Sequence, residues 1–351
     1  MVYKDFDLVI AFLTLRIAMK DFRILSALCL FLLVGCQQSV DDLVVNENYP
    51  ISIEASIGDA GGSRYAGNTP NAATFTEGDN IGLAYKVGTV TENFVQWTLN
   101  DGSWNPATEM NWKNIGDDHT FYAFYPYSTD ASLSEISMPD LANQDGTMTS
   151  VAACDFLVAT KTQSYSDGAT VSFTGVDAFD HVSSLVVLTL KNTANLASAT
   201  IRSISLTGTN LVTPTTYSFI DNNDTDANEA DKVSLDGAAV NEMNSDFSDV
   251  EMNGDKVFYF VVNSSTVPRK NVTLSITYQI TNGEIYTATK EGLHKDDEDN
   301  GYFDSGYFYN YGITVSTGNV LTITGHTINT WQKGDSFDIT IDNSEKQNQN
   351  S

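Results

Sequence analysis

The sequence predicts an all-β chain built of two tandem β-sandwich domains. Three observations carry that expectation. Val, Ile, Thr, Tyr and Phe dominate the chain beyond an apolar leader, turn residues recur at short intervals, and no stretch after the leader keeps a helical period. Short alternating runs cut by Gly, Asn, Asp and Pro belong to sandwiches rather than to βαβ units.

The leader comes first. Lys20 and Arg23 form a positive segment, residues 24–34 an apolar one, and Leu33-Val34-Gly35-Cys36 closes it with small residues before a cysteine. The apolar segment is too short for a spanning helix, which needs about 20 residues, and reads as a signal peptide over 19–35. Its end resembles a bacterial lipobox, in which Cys36 is acylated and becomes the first residue. Met19 is then the expected start. Asp41 and Asp42, with Gln37 beside the cysteine, point to the outer membrane and its external face.

Residues 36–49 form a polar tether. It leads into the alternating strand Ile51-Ser52-Ile53-Glu54-Ala55-Ser56-Ile57, with Ile51, Ile53, Ala55 and Ile57 on one face and Ser52, Glu54 and Ser56 on the other. A Gly-rich loop, Gly58 to Arg64, follows. Further strands are expected over 80–87, 93–99, 119–127, 155–160 and 170–173, with a hairpin turn at Asn100-Asp101-Gly102. The run 182–191 is nearly continuously apolar, which predicts burial on both faces. The small, polar stretch 192–199 places a domain boundary there, giving domains over 50–192 and 193–342. In the second, strands are expected over 200–208, 256–263, 272–280, 284–290, 307–315, 319–324 and 336–342. A polar tail, 343–351, ends the chain.

Composition limits function. With 18 basic and 45 acidic residues the net charge is −27; removing the leader takes away four basic and three acidic residues and leaves −28. So acidic a chain repels nucleic acid and anionic lipid. Cys29 leaves with the leader and Cys36 carries the lipid, so Cys154 has no internal partner and reads as a small buried hydrophobe. The four histidines, His119, His181, His294 and His326, have no metal-ligand spacing, and no nucleophile, phosphate-loop or dinucleotide motif is present. Neither a cofactor nor a catalytic site is expected. The acidic stretch Asp221 to Asp226 lacks the glycine and closing glutamate of a calcium loop. The aromatic runs 121–127 and 302–311 read as core and cross-strand pairs, with sugar stacking as the rival reading.

Several motifs line up in order: the lipobox, Phe75 to Gly82, Trp104 and Trp112, Phe121 to Tyr127, Asp155 to Ala159, Phe179-Asp180-His181 before the apolar run 183–190, Gly306 to Tyr311, and Ile328 to Asp335. Together they resemble the Bacteroidales fimbrillin-like family, subunits of the type V pilus. The likeness is weaker over 205–255. The resemblance implies two transthyretin-like sandwiches, lipoprotein export, and assembly at the cell surface with other fimbrial subunits. It also implies that an arginine-directed protease removes the anchored segment with its first strand, and that a neighbour's strand fills the vacated groove.

On that scheme Ile51, Ile53, Ala55 and Ile57 are the displaced strand, Arg64 is the cut site, and Phe337, Ile339 and Ile341 are the candidate donor. Beyond the leader the only other arginines are Arg202, in an expected strand, and Arg269, in a short turn after Pro268. The rival is a non-polymerising surface lipoprotein that binds a glycan or a host protein through exposed aromatics.

Overall fold

A computed structural model describes residues 49–58, 74–220, 232–264, 268–293 and 301–331. Cys36, Arg64, the acidic stretch 221–226, His294 and the strand carrying Phe337, Ile339 and Ile341 lie outside the described residues.

The first part of the chain forms β1 (Ser52–Ala55), β2 (Asn80–Val87), β3 (Val90–Asn100), β4 (Ser103–Pro106), β5 (His119–Tyr125) and β6 (Ile136–Ser137). A seven-residue helix, α1 (Met148–Cys154), comes next, then β7 (Leu157–Gln163), β8 (Thr170–Phe173) and β9 (Asp180–His181). Six of these strands make one sheet in the order β4-β3-β2-β5-β7-β9, and β1 and β8 pair in a second. The two sheets enclose a core of Ile51, Ile53, Ile57, Leu83, Tyr85, Trp97, Trp112, Phe121, Phe173 and Phe179. Local chemistry sets these elements. The β3–β4 hairpin turns through Asp101 (φ 51°) and Gly102 (φ 71°), a left-handed pair that Asp-Gly tolerates. The Glu77 carboxylate accepts both of their N–H groups at 2.8 Å. Gly82 lies under the Phe124 ring, where a Cβ would come within 2.3 Å of it.

The rest forms β10 (Ser184–Leu190), β11 (Thr200–Thr207), β12 (Thr215–Tyr217), β13 (Val233–Leu235), β14 (Glu242–Glu251) and β15 (Lys256–Val262). It ends in β16 (Thr273–Gln279), β17 (Ile285–Glu291), β18 (Tyr307–Ser316) and β19 (Val320–Thr330). Eight of these strands run in the order β14-β11-β16-β17-β19-β18-β10-β15. β17 and β19 meet only at Thr289 and Val320. The sheet therefore divides there into two four-stranded layers, and the larger core contains inward residues of both, such as Ile204, Ile276 and Tyr278 against Val186, Tyr309 and Ile313. A small sheet, β13-β12-β6, joins the first part to the second.

The all-β expectation holds, and most expected strands lie within a few residues of their predicted bounds. Besides the short strands β6, β9, β12 and β13, which the sequence does not predict, three larger features differ. β10 is buried along its length as expected, yet it pairs with β15 and β18, so the change of sheet falls before Ser184 rather than at 192. Periodicity reads burial but not the partner. The helix α1 is additional; Thr147 caps it by accepting the Ser150 N–H at 3.2 Å, and Val151 and Cys154 face the larger core. β14 is also additional, a polar edge strand with Glu242, Asn244 and Asp246 exposed.

Candidate functional site

The leading strand occupies the site. Alternation turns Ile51, Ile53 and Ile57 inward, where all three are buried, and leaves Ser52 and Glu54 exposed; Ala55 is partly buried. Burying these isoleucines stabilises the strand by roughly 1.5–3 kcal/mol each, an upper bound on what holds it.

Backbone pairing is one-sided. β1 runs parallel to β8, from Ser52 opposite Thr170 to Ala55 opposite Phe173. The ladder continues as Ser56 N–H donates to the Phe173 carbonyl, Phe179 N–H to Ser56, and Gly58 N–H to Phe179, each at 2.9 Å. The opposite edge of β1 carries no ladder among the described residues. Only its entry is held there: Ile51 N–H donates to Met110 and Trp112 N–H donates to Tyr49, both at 2.9 Å. Tyr85 fixes that flanking segment by donating its hydroxyl to the Asn111 carbonyl at 2.9 Å. Burial pushes the Tyr85 hydroxyl up to about 12, with the Glu92 charge adding to the rise.

Gly58 and Phe75 both meet Phe179. Gly58 bonds to Phe179, and the chain is described again from Thr74, where the Phe75 ring packs edge-on against the Phe179 ring, centroids 5.1 Å apart. Arg64 lies in the interval between. The other two arginines beyond the leader are engaged. Arg202, in β11, donates through Nε and Nη2 to the Gln279 side chain and through Nη1 to the Ser248 carbonyl. Arg269 is buried, with its guanidinium 5.2 Å from the centre of the Tyr309 ring.

The three described histidines sit in packed surroundings. His119 accepts the Lys113 N–H at Nε2 (3.1 Å), which leaves Nδ1 to donate to the Asp117 carbonyl (2.9 Å). His181 donates from Nδ1 to the buried Asp155 carboxylate at 2.8 Å, and His326 stacks on Tyr311. Among the described residues no three of His, Cys, Asp and Glu gather as a metal-ligand set. Cys154 is buried, and burial together with the Asp140 carboxylate raises its thiol to about 11. Sequence reasoning found β1 but missed Phe179, which ends its ladder, and residues 110–112, which hold its entry, because both act across long separations with no local pattern.

A family model described as fimbrillin-like matches residues 64–331. The fold is similar to that of a candidate cell adhesion protein from Bacteroides uniformis, 17% identical, with 81% of this chain and 100% of that one covered and a TM-score of 0.56. It is also similar to a candidate cell adhesion protein from Bacteroides ovatus, 17% identical, with 82% and 100% covered and a TM-score of 0.55. No curated protein matches the chain. At these identities the likeness to the two structures is one of fold.

Proposed function

This chain belongs to the fimbrillin-like family, and from that membership we propose that it is a fimbrial subunit or tip adhesin that assembles by strand exchange. Membership carries the coarse reading, a fimbrial protein of the cell surface. The finer reading has four parts. Cys36 is lipidated at the outer membrane, and Arg64 is cut. β1 leaves with the anchor, and a neighbouring subunit supplies the replacement strand from the segment of Phe337, Ile339 and Ile341.

One observation carries the finer reading: β1 is packed like a ligand. A two-stranded sheet holds it from one side and three isoleucines seat it in the core. Once the chain is cut after Gly58, only noncovalent contacts retain it. A vacated groove of this kind exposes the β8 ladder and an apolar slot, and both favour addition of an alternating strand. Phe337, Ile339 and Ile341 have that alternation, and the engagement of Arg202 and Arg269 leaves Arg64 as the natural target. The family match itself begins at Arg64.

The test is the Arg64→Ala variant expressed on cells and viewed by electron microscopy. Loss of filaments or oligomers, with the protein still exported, supports the reading. Unaltered assembly contradicts it.

A further inference from the structure

A groove of about 310 Å³ lies on the first part of the chain, at the margin between the outer face of the six-stranded sheet and the small β13-β12-β6 sheet. That volume is at the small end of ligand clefts, roughly 300–1,000 Å³. A β-bulge shapes it. The pairing of β2 with β3 passes from Leu83–Val95 to Tyr85–Glu92, so Asn93 and Phe94 together oppose Ala84. Such bulges re-aim side chains, here into the groove. The opposite wall is fixed by backbone, since Phe219 N–H donates to the Leu133 carbonyl at 2.8 Å.

Three aromatic rings line the groove: Phe94, Tyr122 and Phe219. Phe219 lies 5.3 Å from Tyr122 and 6.1 Å from Phe94, centroid to centroid, and all three are only partly buried. Around them stand the exposed polar groups of Lys86, Asn93, Ser132 and Ser134, with Glu92 partly buried. Lys86 and Glu92 balance each other, so in a chain of net charge −27 this spot suits a neutral ligand.

We propose that this groove binds a neutral pyranose of a glycan. A pyranose ring has one face of C–H groups, which packs against the negative face of an aromatic ring, and a rim of hydroxyls that both donate and accept. The groove offers the complementary arrangement, with aromatic rings flanked by an amide, an ammonium, a carboxylate and two serine hydroxyls. The site belongs to the folded subunit and does not depend on strand exchange.

Saturation-transfer NMR tests the assignment, using the chain from residue 36 onward and the methyl pyranosides of galactose, glucose, mannose and N-acetylglucosamine. Transfer to the ring C–H protons of at least one sugar is expected. Tyr122→Ala and Phe219→Ala should weaken that sugar's binding tenfold or more. Asn93→Ala, at an exposed position that leaves the fold intact, should weaken it at least threefold with an unchanged melting temperature. No transfer from any of the four sugars overturns the proposal, and so does undiminished binding in Asn93→Ala. If an aromatic peptide occupies the groove while no sugar does, the partner is a protein and the glycan assignment is wrong.

Discussion

The imidazole of His181 lies flat on the indole of Trp331, with ring centroids 4.1 Å apart and planes 4° from parallel. His181 ends β9 in the first part of the chain, and Trp331 follows β19 in the second. Asp155 holds the imidazole at its edge, through Nδ1. The connection from β9 to β10 is tied down beside them, as Ser305 donates to the carbonyls of His181 and Val182, and Ser264 to that of Val182. Trp331→Ala removes a fully buried indole and should cost about 3–5 kcal/mol. Asp155→Ala leaves the imidazole N–H without its buried acceptor and should cost about 1–3 kcal/mol. Urea titration of each variant, followed by tryptophan fluorescence and circular dichroism, gives both figures.

The outer edge of β15 is closed by a side chain. The buried Gln144 amide donates to the Val261 carbonyl and accepts the Val261 N–H, both at 2.7 Å, as a neighbouring strand would. Gln144→Leu keeps the volume but leaves both backbone groups unpaired. It should lower stability by about 1–3 kcal/mol and, by opening an edge, promote self-association. Denaturant midpoints and light scattering check the two effects separately.

Alkaline pH should weaken the fold. The Cys154 thiol is raised from 9.0 to about 11 and the Tyr85 hydroxyl from 10.0 to about 12. Both groups therefore stay neutral in the folded chain after they begin to ionise in the unfolded one. The stability they contribute is fully present below pH 9 and is lost as pH rises from there towards 12. Urea midpoints at pH 8 and pH 10.5 should fall in that order, and Cys154→Ala should flatten part of the slope. At pH 8 the native thiol should resist maleimide and react only after denaturation.

Much of this architecture is legible in the sequence, and particular residues show where legibility stops. Ile51, Ile53 and Ile57 announce their buried face because a strand alternates with period two. Asn100-Asp101-Gly102 announces its hairpin because few residues accept the left-handed backbone. Leu185 to Leu188 announce burial, yet their partners Phe308 to Tyr311 and Phe258 to Val261 are remote in sequence, and no local pattern encodes that choice. The strands β6, β9, β12 and β13, of two or three residues each, are too short to show a period. The groove is hidden for a related reason: Phe94, Tyr122 and Phe219 come from three separate segments, which sheet pairing, the bulge and the Leu133–Phe219 contact bring together.

Retention of β1 is a question of side-chain seating. With Arg64 cut by an arginine-specific protease, the wild-type N-terminal fragment should remain bound during gel filtration. Ile53→Asp puts a carboxylate into the slot in place of a buried isoleucine. Its fragment should dissociate after the same cut, leaving a subunit that takes up a synthetic Phe337–Ile341 peptide at least tenfold better than the uncut chain.

The N-terminus of the protein in its assembled state tests strand exchange most directly. Intact-mass and N-terminal peptide analysis of filaments or oligomers sheared from the cell surface should find chains that begin at Tyr65, without Cys36 and without β1. Assembled chains that still begin at an acylated Cys36 would contradict the account.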